Sequence, residues 1–91
     1  MIFEWDPEKA ESNLKKHGVP FTLAGSVFLD PLAWTFPDTD HPHGELRFIT
    51  VGAAADGTLL VVSHAEPHSG RIRIISARRA TSRERKSYEE V

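Results

Sequence analysis

The chain predicts an α+β fold, an antiparallel β-sheet with two N-terminal helices and a C-terminal helix, on three observations. Helix-start signals stand near both ends, at Asp6-Pro7 and at Thr81-Ser82-Arg83-Glu84. Apolar residues at helical spacing follow the first signal as far as Asp30-Pro31. The middle carries two β-rich runs joined across Asp56-Gly57, a dipeptide that favours a two-residue hairpin turn. The 91 residues fit one domain, 1–91. A domain of that size buries roughly 60 to 65% of its unfolded surface, too little for a large enclosed cavity.

In chain order, Phe3 and Trp5 alternate with Glu4 as a short strand that meets Asp6 as N-cap and Pro7 at the first helical position. Ala10, Leu14 and His17 recur at helical spacing, and Gly18 follows Lys15-Lys16-His17, so the first helix covers 7–17. Phe21, Ala24, Val27 and Phe28 predict a second short helix between Pro20 and Asp30-Pro31, weakened by Gly25. Residues 32–36 have strand composition, and 37–44 are polar and turn-forming. Strands at 46–54 and 58–65 form the hairpin. After Pro67-His68-Ser69-Gly70 the alternation in Arg71-Ile72-Arg73-Ile74 puts the arginines on one face of a strand and the isoleucines on the other. Thr81 and Glu84 make a capping box, so a last helix runs from about Ser82 toward Glu90. The expected layout packs the helices on one face of a three- or four-stranded antiparallel meander and leaves the other face open.

Hydrophobic residues make up 40% and charged residues 26%, the balance of a globular protein rather than a disordered one. No cysteine is present, which excludes disulfides, thiolate metal sites and cysteine nucleophiles. No apolar run approaches the ~20 residues of a membrane span, and Met1 to Asp6 lacks the basic and apolar segments of a secretory signal. A cytoplasmic protein without membrane contact is expected. The net charge of −2 conceals an asymmetry: seven of the eleven Lys and Arg follow Gly70, namely Arg71, Arg73, Arg78, Arg79, Arg83, Arg85 and Lys86. A basic patch on an acidic body is the electrostatic footprint of a nucleic-acid or acidic-protein partner. His41 and His43, with Asp38 and Asp40, are metal-ligating types, but they share one loop without the i, i+4 spacing of a helical site. No metal and no cofactor is expected.

At this point the sequence resembles the BrnT toxins of type II toxin-antitoxin modules. The anchors are Phe3-Glu4-Trp5-Asp6, Lys16-His17-Gly18-Val19, Val27-Phe28-Leu29-Asp30-Pro31 and Glu45-Leu46-Arg47-Phe48 with Gly52. The longest is Arg71-Ile72-Arg73-Ile74-Ile75-Ser76-Ala77-Arg78-Arg79-Ala80-Thr81, followed by Glu84-Arg85 and Tyr88. Their order and spacing run nearly end to end. The resemblance implies a RelE-like fold and a metal-independent endoribonuclease that halts translation by cutting RNA. It also implies neutralisation by a BrnA-like antitoxin, with operator DNA reached only indirectly, through that antitoxin.

Metal-independent RNA cleavage sends the 2′-hydroxyl onto the adjacent phosphorus while negative charge builds on the phosphoryl oxygens. A guanidinium answers that charge best, because it is always ionised and donates in a fork that matches phosphate. Arg78 is the first candidate, between the end of the last strand and the following helix N-terminus, with an ion pair to Glu84 or another carboxylate as its competing occupation. Arg47 is the second, with a cross-strand pair to Glu45 or Glu66 as its alternative. For proton transfer the candidates are His64, His17 and Glu84. His64 shares strand parity with Leu60 and Val62, which also fits a structural core histidine; His17 also fits a helix cap, and Glu84 a capping-box partner. Arg71 and Arg73 are placed to follow the RNA backbone, with Arg79, Lys15 and Lys16 as outer contacts. Tyr88 and Trp34 have the rings to stack a base, with core packing as the competing role of Trp34. A catalytically silent module that docks an acidic partner explains the same patch. Convergence of Arg78, Arg47 and a His or Glu on one phosphate-sized spot separates the two readings.

Overall fold

The computed structural model describes residues 1–40 and 44–90, so His41 and His43 lie outside the described residues. The elements are β1 (Ile2–Glu4), α1 (Pro7–His17), α2 (Phe21–Ala24) running into a 3-10 helix (Gly25–Leu29), β2 (Trp34–Pro37), β3 (Arg47–Ala53), β4 (Leu59–Ala65), β5 (Arg71–Arg79) and α3 (Ser82–Glu89). The α+β class and the helix positions are those the sequence predicts. The second helix is α-helical for four residues only and tightens at Gly25, the residue that weakens it.

Local chemistry explains the element ends. The Asp6 carboxylate accepts the Glu8 N–H at 2.8 Å, and Gly18 closes α1 in the left-handed conformation, donating its N–H to the Leu14 carbonyl. At α3 the Thr81 hydroxyl accepts the Glu84 N–H at 3.2 Å, and the Glu84 carboxylate accepts the Thr81 N–H at 2.8 Å, a complete capping box.

The five strands lie in the order β1-β5-β4-β3-β2. All neighbours are antiparallel except β1 and β5, which run parallel with Phe3 opposite Ile72 and Glu4 opposite Arg73. The sheet therefore exceeds the expected meander by one edge strand, held by the Ile2 N–H donated to the Gly70 carbonyl at 2.8 Å.

Successive strand residues point to opposite faces. On one face Leu60 and Val62 of β4 and Ile72, Ile74 and Ala77 of β5 pack against Val19, Phe21, Ala24 and Val27. On the other, Val51, Leu59 and Val61 pack with Ala80 and Tyr88. This corrects the expectation that all helices share a face. Leu59-Leu60-Val61-Val62 is apolar at four consecutive positions, so both faces of β4 need cover, and α3 supplies it for the second. Gly52 lets the 3-10 helix approach β3: a Cβ there would stand 3.0 Å from the Ala33 Cβ and 3.2 Å from the Val27 carbonyl oxygen.

An irregularity in β5 decides which side chains share a face. Ser63 faces Ser76 while His64 faces Ile74, so Ile75 is an extra, bulged residue. In a regular strand Arg73 and Arg78, of opposite parity, would point to opposite faces. The bulge puts both on the face shared by Val61 and Ala65, their partners on β4.

Candidate functional site

The α3 side of the sheet carries three cross-strand rows. Trp34, Val51, Val61 and Arg78 form the first, Phe36, Ile49, Ser63 and Ser76 the second, and Arg47, Ala65, Arg73 and Glu4 the third. α3 covers only the end of this face nearest Val51, Leu59 and Val61. Beside it, Trp34 and Phe36 remain 44% and 42% exposed, against a groove of about 290 Å³ completed by Arg83, Glu84, Ser87 and Tyr88.

Three cations of this face, Arg71, Arg73 and Arg78, are tied to carboxylates. Arg78 donates from Nη1 to Glu84 Oε1 at 2.8 Å and from Nη2 to Glu84 Oε2 at 2.9 Å, and its Nη1 also reaches the Arg79 carbonyl at 3.2 Å. The ion-pair occupation is thus the one adopted. The Arg78 hydrogen bonds hold the Glu84 carboxyl down at about 2, aided by the Thr81 N–H, and the pair raises the guanidinium in turn. Glu84 is a carboxylate at any neutral pH and has little affinity for a proton, which argues against it as a general base. Of the five N–H donors of Arg78, the Nε–H and the second Nη2–H have no partner among these bonds. They form the side-on fork of the guanidinium, the geometry that receives two phosphate oxygens.

Arg73 bridges Glu45, at 2.9 Å, and Glu4, at 3.3 Å, while Arg71 meets Glu4 at 3.5 Å. Both remain partly exposed. Arg47 has no carboxylate within salt-bridge distance among the described residues, so the pairs anticipated for it with Glu45 or Glu66 are not formed. Arg47 and Arg73 lie two strands apart, about 10 Å. Arg47 and Arg78 are separated by the same two strands and by four residues along β3, about 17 Å between backbones. Glu84 holds the Arg78 guanidinium at the α3 end of the face, while Arg47 stands in the row at the other end.

His64 is corrected as a proton-transfer candidate: its ring is fully buried, edge-on to Phe28 at 4.9 Å and stacked over Phe48 at 5.9 Å. Its Nε2 bonds the Thr50 hydroxyl at 2.8 Å, which in turn bonds Thr35 at 2.7 Å, and its Nδ1 has no partner. Burial pushes its pKa down to about 4, so the ring is neutral at physiological pH. The core role offered by strand parity is the observed one. His17 is half-buried at the end of α1, on the far side of β5 from the three rows. Lys16 lines the same cleft as His17, and Lys15 turns away to Glu11 at 3.3 Å. Arg79 is exposed and lies near Asp56. Trp34 lies on the open face rather than in the core, because its register partner Val51 faces α3.

The Tyr88 hydroxyl donates to Asp30 at 2.5 Å, tying α3 to the end of the 3-10 helix. Asp30 also accepts the Ala53 N–H at 2.8 Å and the Leu32 N–H at 3.0 Å; these bonds, that of Ala53 foremost, lower its pKa. Sequence reasoning missed Glu4 and Asp30 as partners of the site, and it offered Glu45 to Arg47 rather than to Arg73. The double Ile74-Ile75, which breaks the alternation of β5, was the available signal for the bulge.

A family model described as the ribonuclease toxin BrnT of type II toxin-antitoxin systems matches residues 5–84. Among solved structures, the ribonuclease toxin BrnT of Brucella abortus is similar to this chain at 26% identity and a TM-score of 0.71, over 90% of this chain and 100% of that one. No curated protein sequence matches.

Proposed function

Because the chain belongs to the family of BrnT ribonuclease toxins of type II toxin-antitoxin systems, we propose that it cuts RNA without a metal ion, halts translation by doing so, and is neutralised in the cytoplasm by a BrnA-like antitoxin. The observation that carries this reading is the side-on fork of Arg78, held at a fixed orientation by Glu84 on a sheet face that also presents Arg47, Arg71 and Arg73. In the proposed reaction the 2′-hydroxyl oxygen attacks phosphorus, the bond to the 5′-oxygen breaks, and a 2′,3′-cyclic phosphate and a free 5′-hydroxyl result. Arg78 donates to the oxygens on which charge accumulates, from a position fixed before the reaction starts. Arg71 and Arg73 hold flanking phosphates, which gives affinity without reading sequence. Single-turnover cleavage of a short RNA by the purified chain tests this. Unchanged rate in excess EDTA and a cyclic phosphate product are expected, whereas a requirement for Mg²⁺ defeats the metal-independent reaction.

The separation of Arg47 from Arg78 favours a second reading, a silent module whose cationic face docks an acidic partner. RNA left intact by a large excess of well-folded protein, with and without divalent ions, selects it.

A further inference from the structure

β1 pairs with β5 only through residues 71–73, which leaves the rest of that β5 edge without a neighbouring strand. α1 lies there instead. Asn13, buried, accepts the Ala77 N–H at 3.0 Å and donates to the Ala77 carbonyl at 2.9 Å and to the Val19 carbonyl at 3.1 Å, taking the place of a sixth strand. Beside this contact, α1 and β5 enclose a cleft of about 200 Å³. Lys9, Ser12, Lys16 and His17 enter it from α1 at i, i+3, i+7 and i+8, with Ile75 and Ser76 opposite.

Asn13 completes the lining, and no carboxylate is among the described residues that form it. Lys9 and Lys16 are two turns apart, about 10 Å, a span for successive phosphates of one strand. Ser76 belongs both to this cleft and to the open-face row adjoining that of Arg78, so the two surfaces meet at the β5 edge.

We propose that this cleft is a second phosphodiester-binding site, through which a single RNA strand leaving Arg78 passes over the β5 edge and along α1. The proposal rests on the ribonuclease reading and adds the path of the substrate. The test is the salt dependence of binding to a short single-stranded RNA with 2′-O-methyl groups, which cannot be cleaved. For Lys9→Gln/Lys16→Gln the log–log slope should fall by about 1.4, from two lost phosphate contacts, with the melting temperature unchanged. Arg85→Gln/Lys86→Gln on α3 removes the same charge away from the cleft and should lower the slope by much less. An unchanged slope, or equal losses for the two double variants, overturns the site while leaving the ribonuclease reading intact. Loss of poly-glutamate binding with the RNA slope preserved overturns it in favour of an acidic protein segment. If the wild-type chain neither binds nor cuts RNA, the ribonuclease reading fails and the cleft proposal with it.

Discussion

One fork of the Arg78 guanidinium is spent on Glu84, which leaves the Nε–H and one Nη2–H without a partner among its hydrogen bonds. Arg78→Ala should lower single-turnover cleavage roughly 100- to 1,000-fold, the loss expected for one transition-state donor, and Arg78→Lys should recover only part, because an ammonium cannot fork. Near-native cleavage by a well-folded Arg78→Ala protein moves the role to Arg47. Glu84→Gln should change the rate through the orientation of Arg78, without removing a low-pH limb near neutrality, since this carboxyl already sits at about 2. The candidates legible in the sequence were the guanidinium and its neighbour three residues into the helix. The pairing of Glu4 and Glu45 with Arg73 was not, because these contacts bridge 69 and 28 residues of sequence and no local pattern encodes them.

At the scale of the element, local chemistry was read well and tertiary chemistry was not. The α3 capping box follows from residues within three positions of each other, and Thr81→Ala should cost about 1 kcal/mol in thermal unfolding. Asn13 is invisible to such reading, because its partner Ala77 is 64 residues away. Asn13→Ala strips three buried hydrogen bonds and should cost on the order of 2 to 4 kcal/mol, measured by urea denaturation. A loss below 1 kcal/mol would mean that water replaces the amide. The β5 bulge is the most consequential element-level feature. It gathers Arg71, Arg73 and Arg78 on one face, whereas strict alternation would have divided them.

For the whole molecule, His64 links the core to pH. Its folded-state pKa of about 4 lies below its ordinary 6.5, so the unfolded chain binds a proton more readily than the folded one between those values. The stability contributed by the neutral ring is fully present above about pH 6.5 and is lost as pH falls toward 4, a drop of about 3 kcal/mol at most. His64→Leu should flatten that dependence in denaturation curves taken at successive pH values; an unaltered curve would show that another group titrates. Neutralisation also belongs to this scale. In the complex with the antitoxin, amide exchange should slow across β5 and the ends of β1 and β3 that carry Glu4 and Arg47. A complex that leaves Arg71, Arg73 and Arg78 as accessible as before rules out inhibition by occlusion.

The parallel pairing of β1 with β5 gives this surface a timetable. β1 has no strand to join until residues 71–73 have been made, and pairings so distant in sequence form slowly. Glu4 precedes Arg71 and Arg73 in the chain, and Glu84 follows Arg78 by one helical turn and a cap. Each of these three cations is thereby matched with a carboxylate at the moment its face is assembled. Closing this edge of the sheet and pairing its arginines with carboxylates are therefore one event in folding.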